Sequence, residues 1–179
     1  MKGFTMNKKT IEMYFGSSLY QAVMPASLFE QGMGNVILAR KTAGGAIVGV
    51  AFLCDHYCLG VKDCVPFMEN EPSYRAVVQR LIQEKTIVVE PATLKTYVTG
   101  LVQWAKEIGF DPCSEYRFCS KILRGIPADE EASFTYGKDG APLYINGPHD
   151  TPFRIQQIMN TLEAYRERTG KQADFAIIG

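Results

Sequence analysis

The densest group of reactive side chains is the run Cys54-Asp55-His56-Tyr57-Cys58-Leu59-Gly60-Val61-Lys62-Asp63-Cys64, which holds three of the five cysteines and one of the two histidines. Three chemistries suit these types. Thiolates with an imidazole could bind zinc, but the spacing is unfavourable. Read as an extended strand, Cys54 and Cys58 share a face about 13 Å apart, whereas zinc holds each sulfur at about 2.3 Å. Converging carboxylates are the second option. Asp55, Asp63 and Glu90 could hold Mg²⁺ or Mn²⁺ for phosphoester hydrolysis or nuclease chemistry, with Lys62 stabilising phosphoryl charge. The third is a thiol-dependent or redox-responsive centre at Cys58, with Cys54 and Cys64 as partners. A cysteine nucleophile would also need a base, and His56 or His149 would have to be brought beside it.

Each reading has a plainer counterpart. The cysteines suit small buried apolar positions, Asp63 can pair with a neighbouring base, and Glu90 suits the start of a helix. The loop Asn146-Gly147-Pro148-His149-Asp150 opens a helix whose free amides could hold an anion, although Asp150 as the cap opposes one. Lys62, Arg75, Arg80 and Lys85 are interleaved with acidic residues, the pattern of a solvated face rather than of a nucleic-acid surface. No G-x-x-x-x-G-K-[ST] phosphate loop, H-E-x-x-H metal helix, G-x-S-x-G elbow or C-x-x-C pair occurs.

The elements that must position these residues follow from periodicity. Residues 9–17 suggest a short helix, and Leu19–Met24 fits strand or helix equally. Asn35–Arg40 and Ala46–Cys54 read as a hairpin around Gly44-Gly45. The second strand is expected to run on through His56 and Cys58, bend at Gly60, and stop at Pro66. Tyr74, Val77, Val78, Leu81 and Ile82 share a helical face. Ile87-Val88-Val89 leads into a second helix with Glu90 near its N-cap, Pro91 in its first turn and Gly109 past its end. Glu115–Leu123 is a third, shorter helix. Ser133–Tyr136 and Pro142–Ile145 read as a hairpin, followed by a helix capped by Asp150 and a strand over residues 173–178. Strands, helices, strands, helix, strand is the order of an α+β fold: N-terminal hairpin, central helices, and a C-terminal β-hairpin–helix–strand unit. Residues 1–179 are expected to form one domain, with 1–18 as a loosely attached segment.

The Cys58-Leu59-Gly60-Val61-Lys62-Asp63 run, preceded by Val50-Ala51-Phe52-Leu53-Cys54-Asp55, resembles a motif that follows a β-hairpin in a group of uncharacterised bacterial proteins. The likeness extends to Glu90-Pro91-Ala92, Gly109-Phe110-Asp111-Pro112 and Gly137-Lys138-Asp139-Gly140. It implies a bacterial cytosolic origin and supplies no activity.

Composition sets the outer bounds. With 19 basic and 19 acidic residues among 179, the net charge is zero. Residues 1–69, 70–127 and 128–179 carry +1, +2 and −3. No segment resembles a basic nucleic-acid arm, and near-neutrality leaves little repulsion against homo-oligomers. An odd cysteine count without a disulfide framework suits a reducing, cytoplasmic setting. No apolar run approaches the roughly 20 residues of a membrane span. The residues favour an intracellular binding, regulatory or self-associating domain, with the metal hydrolase and the thiol-responsive protein as alternatives.

Overall fold

The apolar runs of the first hairpin form the middle of a sheet. In the computed structural model, which describes residues 7–177, Met33–Lys41 (β2) and Ile47–Asp55 (β3) pair antiparallel from Met33↔Asp55 to Lys41↔Ile47. Thr42 Oγ1 accepts from Ala46 N at 3.1 Å to close the turn. Both strands are buried on both faces, so they read as runs rather than as alternation. Ser18–Pro25 (β1), Gly60–Glu69 (β4) and Thr86–Val89 (β5) complete an antiparallel sheet of order β4-β3-β2-β1-β5. Leu19–Met24 is thus strand.

Helix Pro91–Ile108 (α4) covers one face. Its Leu94, Tyr97, Val98 and Leu101 meet Val36, Leu38, Val50 and Phe52. Helix Glu71–Leu81 (α3) covers the other, where Tyr74 and Val77 meet Ile37, Ala39, Ala51 and Phe67. Glu90 is the N-cap of α4, Pro91 starts it, and Gly109 ends it at φ 126°. Phe110 N folds back to the Ala105 carbonyl at 2.9 Å.

Several expectations change. Helix Lys8–Glu12 (α1) is shorter than expected, and a one-turn helix, Leu28–Gln31 (α2), joins β1 to β2. The segment from Asn7 is not loosely attached, because Ile11 and Phe15 join the main core; residues 1–6 of the expected 1–18 segment lie outside the described residues. The strand does not continue past Asp55. The chain turns over residues 56–59 and returns as β4, which passes through Pro66 opposite Val50. Pro66 is tolerated because β4 is an edge strand and needs no outward N–H bond. The bulge is displaced too: Leu53 faces Asp63 and Cys54 faces Val61, so Lys62 is the extra residue. Ile87-Val88-Val89 is the strand β5 rather than a helix entry. Glu115–Leu123 divides into a short helix Tyr116–Cys119 (α5) and a 3-10 turn Ser120–Leu123.

At the C-terminal end, the expected hairpin reduces to a single bridge, Lys138↔Ala141. Leu143–Ile145 (β6) instead pairs in parallel with Asp174–Ala176 (β7) across helix Pro152–Thr169 (α6). The expected end of that last strand, Ile178, lies outside the described residues. Thr151 caps α6, accepting from Arg154 N at 3.2 Å. Asp150 instead receives Gly147 N at 2.7 Å and the Tyr144 hydroxyl at 2.8 Å. This unit packs Tyr144, Ile158 and Leu162 against Cys58, Leu59 and Ala105.

Gly60 lies where the unit, α4 and the sheet meet. Its φ is +75°, and a Cβ there would stand 2.7 Å from Ala105 Cβ. Gly60→Ala is expected to lower the unfolding free energy by about 2 kcal/mol, from left-handed backbone strain and the clash. Urea midpoints of the two proteins measure this, and equal midpoints would contradict it.

Candidate functional site: a buried carboxylate turn and a thiol pair

Asp55 is 5% exposed, the last residue of β3. Its Oδ1 accepts from Tyr57 N at 3.1 Å and Cys58 N at 2.9 Å, folding the next residues into a side-chain-closed turn. Burial raises its carboxyl to about 6, against the opposing pull of Lys62 and the amides of Cys58, Leu59 and Tyr57.

A raised acid pKa binds protons more tightly in the folded state. Asp55 therefore adds stability in full below pH 3.8, and that contribution is lost as pH rises through about 6. The swing is about 3 kcal/mol, two pKa units at about 1.4 kcal/mol each. Asp55→Asn keeps an oxygen for both amides and removes the titration. It is expected to remove this pH dependence, read from denaturation curves between pH 4 and pH 7. A wild-type swing that survives in the variant would contradict the assignment.

The three carboxylates are not brought together. Asp63 is exposed on β4, and its Oδ1 turns back to accept from Cys64 N at 2.8 Å. Glu90 follows β5, at the opposite edge of the sheet. Four strand spacings separate those edges, about 19 Å. Among the described residues no group of three or more His, Cys, Asp or Glu side chains is placed to hold a metal ion. Lys62 lies on the bulge, near enough to Asp55 and Asp150 to favour their ionised forms.

His56 is 2% exposed and serves the core. Its amide donates to Gly32 O at 2.7 Å, and its carbonyl accepts from Gly137 N at 2.9 Å. Nδ1 lies 3.3 Å from the Tyr97 hydroxyl. The rings of Phe29, Tyr97 and Tyr136 surround it at centroid distances of 4.9, 5.9 and 5.8 Å. Burial lowers its pKa, favouring the neutral ring. Cys58 does not share a strand face with it, because residues 56–59 turn; Cys58 is buried in the C-terminal core. Burial, and then Asp55, push the Cys58 thiol up, as they do for Cys54.

A different pair of thiols does meet. Cys64 on β4 and Cys113 in the loop after α4 stand 3.5 Å apart, Sγ to Sγ. The loop is laid along the β4 edge by Cys113 N donating to Val61 O at 3.0 Å. An ion pair from Lys8 to Glu115 and one from Lys121 to Glu12 at 2.6 Å tie α1 to the segment that follows.

Cys64 is 3% exposed and Cys113 partly exposed. The Cys64 thiol is held strongly protonated, first by its hydrogen bond with Cys119, then by burial and by Cys113. Burial also raises Cys113 above the ordinary thiol value, offset only in part by its contacts with Cys64 and the Tyr116 amide. The two thiols are thus unequal: Cys113 is partly exposed, and Cys64 is sheltered and the more strongly held as S–H.

A surface cavity of about 260 Å³, lined by Lys62, Phe110, Asp111, Cys113, Asp150 and Arg154, gives access to the first. A larger groove of about 700 Å³ beside the end of α6 is lined by charged residues and holds no thiol.

Sequence reasoning placed the thiol centre at Cys58 and missed Cys113, which lies 49 positions from Cys64. Its only local signal is the Gly109-Phe110-Asp111-Pro112 exit, which says that a loop begins there. Among the described residues no helix is long and apolar enough to cross a membrane. Comparison with protein-family models, curated proteins and solved structures found no match for this chain.

Proposed function

We propose that the chain is a regulatory domain whose state is set by oxidation of the Cys64–Cys113 pair. The observation that carries this reading is the 3.5 Å contact between one sheltered and one accessible thiol on separate elements. The oxidant is a hydroperoxide. The Cys113 thiolate attacks the terminal peroxide oxygen, giving a sulfenic acid and releasing alkoxide or hydroxide. Cys64 then displaces the sulfenic hydroxyl, giving a disulfide and water. With hydrogen peroxide, two thiols and one peroxide yield one disulfide and two waters. The bond would fix the 110–115 loop to the β4 edge and with it the start of α5. Burial makes the pair slow to ionise, so the reaction answers sustained rather than transient oxidant.

One equivalent of hydrogen peroxide is expected to lower the reactive thiol count of denatured protein from five to three, with recovery on adding dithiothreitol. Cys64→Ser is expected to stop at a sulfenic acid on Cys113 that dimedone traps. Cys113→Ser is expected to keep its remaining four thiols under the same dose. Equal thiol loss in wild type and Cys113→Ser would sink the proposal.

A further inference from the structure

The sheet has two edges, and they are built differently. The β4 edge is guarded in three ways known to block strand addition. Pro66 offers no N–H, Asp63 is an exposed charge, and the 110–115 loop already occupies Val61 O. The β5 edge has none of these. Among the described residues Thr86–Val89 pairs only with β1; it contains no proline, glycine or charge, and leaves Val88 67% exposed.

We infer that β5 is an interaction surface for a second copy of this chain, the two β5 strands pairing antiparallel across a twofold axis to join the sheets.

The pleat limits the register. Ile87 and Val89 pack against the α4-side core, so Val88 points to the opposite face. A twofold normal to the sheet preserves its faces, so opposed residues must point the same way. Among the registers that meet this condition, the one centred on the exposed residue sets Val88 against Val88 of the other copy and Ile87 against Val89. That pairing buries the exposed valine against its own image and supplies partners to the outward backbone groups of β5.

Charge selects both the occupant and the direction. Exposed Lys85 and Glu90 bracket the strand with opposite signs. An antiparallel copy brings the Lys85 end of each strand to the Glu90 end of the other, whereas a parallel copy would align like charges. The zero net charge of the chain adds no long-range repulsion between copies.

Sedimentation of the full chain in excess reductant tests this independently of the thiol proposal, since no disulfide can form there. The expected result is a species of about 40 kDa, twice the 19.9 kDa chain, at tens of micromolar. Val88→Lys sets two lysines face to face and is expected to weaken dimerisation at least tenfold. Its urea midpoint at submicromolar protein should match that of the wild type, because Val88 is exposed in the single chain. Phe153→Lys alters another exposed apolar residue, 73% accessible on α6, and should leave dimerisation unchanged. A wild-type chain that stays at about 20 kDa, a Val88→Lys dimer of wild-type affinity, or a dimer broken by Phe153→Lys would each overturn the inference.

Discussion

Replacing Arg40 by alanine is expected to lower the unfolding free energy by about 4 kcal/mol. Arg40 is 6% exposed on β2, and its guanidinium is spent on main-chain oxygens. Nε donates to Ile122 O at 3.1 Å, Nη1 to Ser17 O at 2.8 Å, and Nη2 to Arg124 O at 2.9 Å. Two chain segments remote in sequence are held by one side chain: the entry to β1 at Ser17, and the 3-10 turn after α5 with its exit at Ile122 and Arg124. Carbonyls at the end of a helical turn have no partner within it, so each needs an outside donor. Truncation removes three charge-assisted bonds and leaves those carbonyls in a site too confined for free hydration. Arg40→Lys keeps the charge but cannot reproduce the planar fork, and about 2 kcal/mol is the expected cost. Urea denaturation with an unchanged slope measures both. An alanine variant within 1 kcal/mol of wild type would show that water or a rearranged segment replaces the guanidinium.

The second large effect is expected on oxidation. A disulfide between Cys64 and Cys113 closes a loop of 49 positions, which by chain entropy stabilises the fold by about 4 kcal/mol at most. The sulfurs must close from 3.5 Å to about 2.05 Å, and the loop is the side that can yield. Its tie to β4 is the Cys113 N to Val61 O bond, which lies along the strand edge and tolerates a small shift. The oxidised protein is therefore expected to unfold at higher urea than the reduced one, by 2 to 4 kcal/mol of the roughly 4 available. Reduced stability after oxidation would mean that the bond forms only by distorting the loop or β4.

The fold was legible mainly where the signal was local, although the local turn at Gly137-Lys138-Asp139-Gly140 yields only one bridge. The β2–β3 hairpin follows from two apolar runs around Gly44-Gly45, and α4 from a stripe bounded by Pro91 and Gly109. Ile87-Val88-Val89 reads as a helix entry because three apolar residues fit the start of a helix as well as an edge strand; only pairing with β1 decides for the strand. The turn after Asp55 was hidden for a related reason. A carboxylate at the end of an apolar run can be a buried charge to explain or a cap for the next amides, and the sequence shows the residue without its bonds. Pro66 misled because its effect depends on whether β4 is central or an edge, a property of the whole sheet.

The site was less legible than the fold. The run from Cys54 to Cys64 drew attention by composition, and one of its thiols, Cys64, does belong to the pair. Its partner lies beyond one further strand and two helices, and nothing near Cys113 announces a thiol site. Arg40 likewise looks like an ordinary strand-end base until three remote carbonyls converge on it.

The most direct test of the central claim is a non-reducing peptide map of protein treated with one equivalent of hydrogen peroxide, with free thiols alkylated before digestion. A linked peptide pair joining Cys64 to Cys113, with Cys54, Cys58 and Cys119 alkylated, is the predicted result. Linkage centred on Cys58, or Cys64 and Cys113 both recovered in alkylated form, would contradict it.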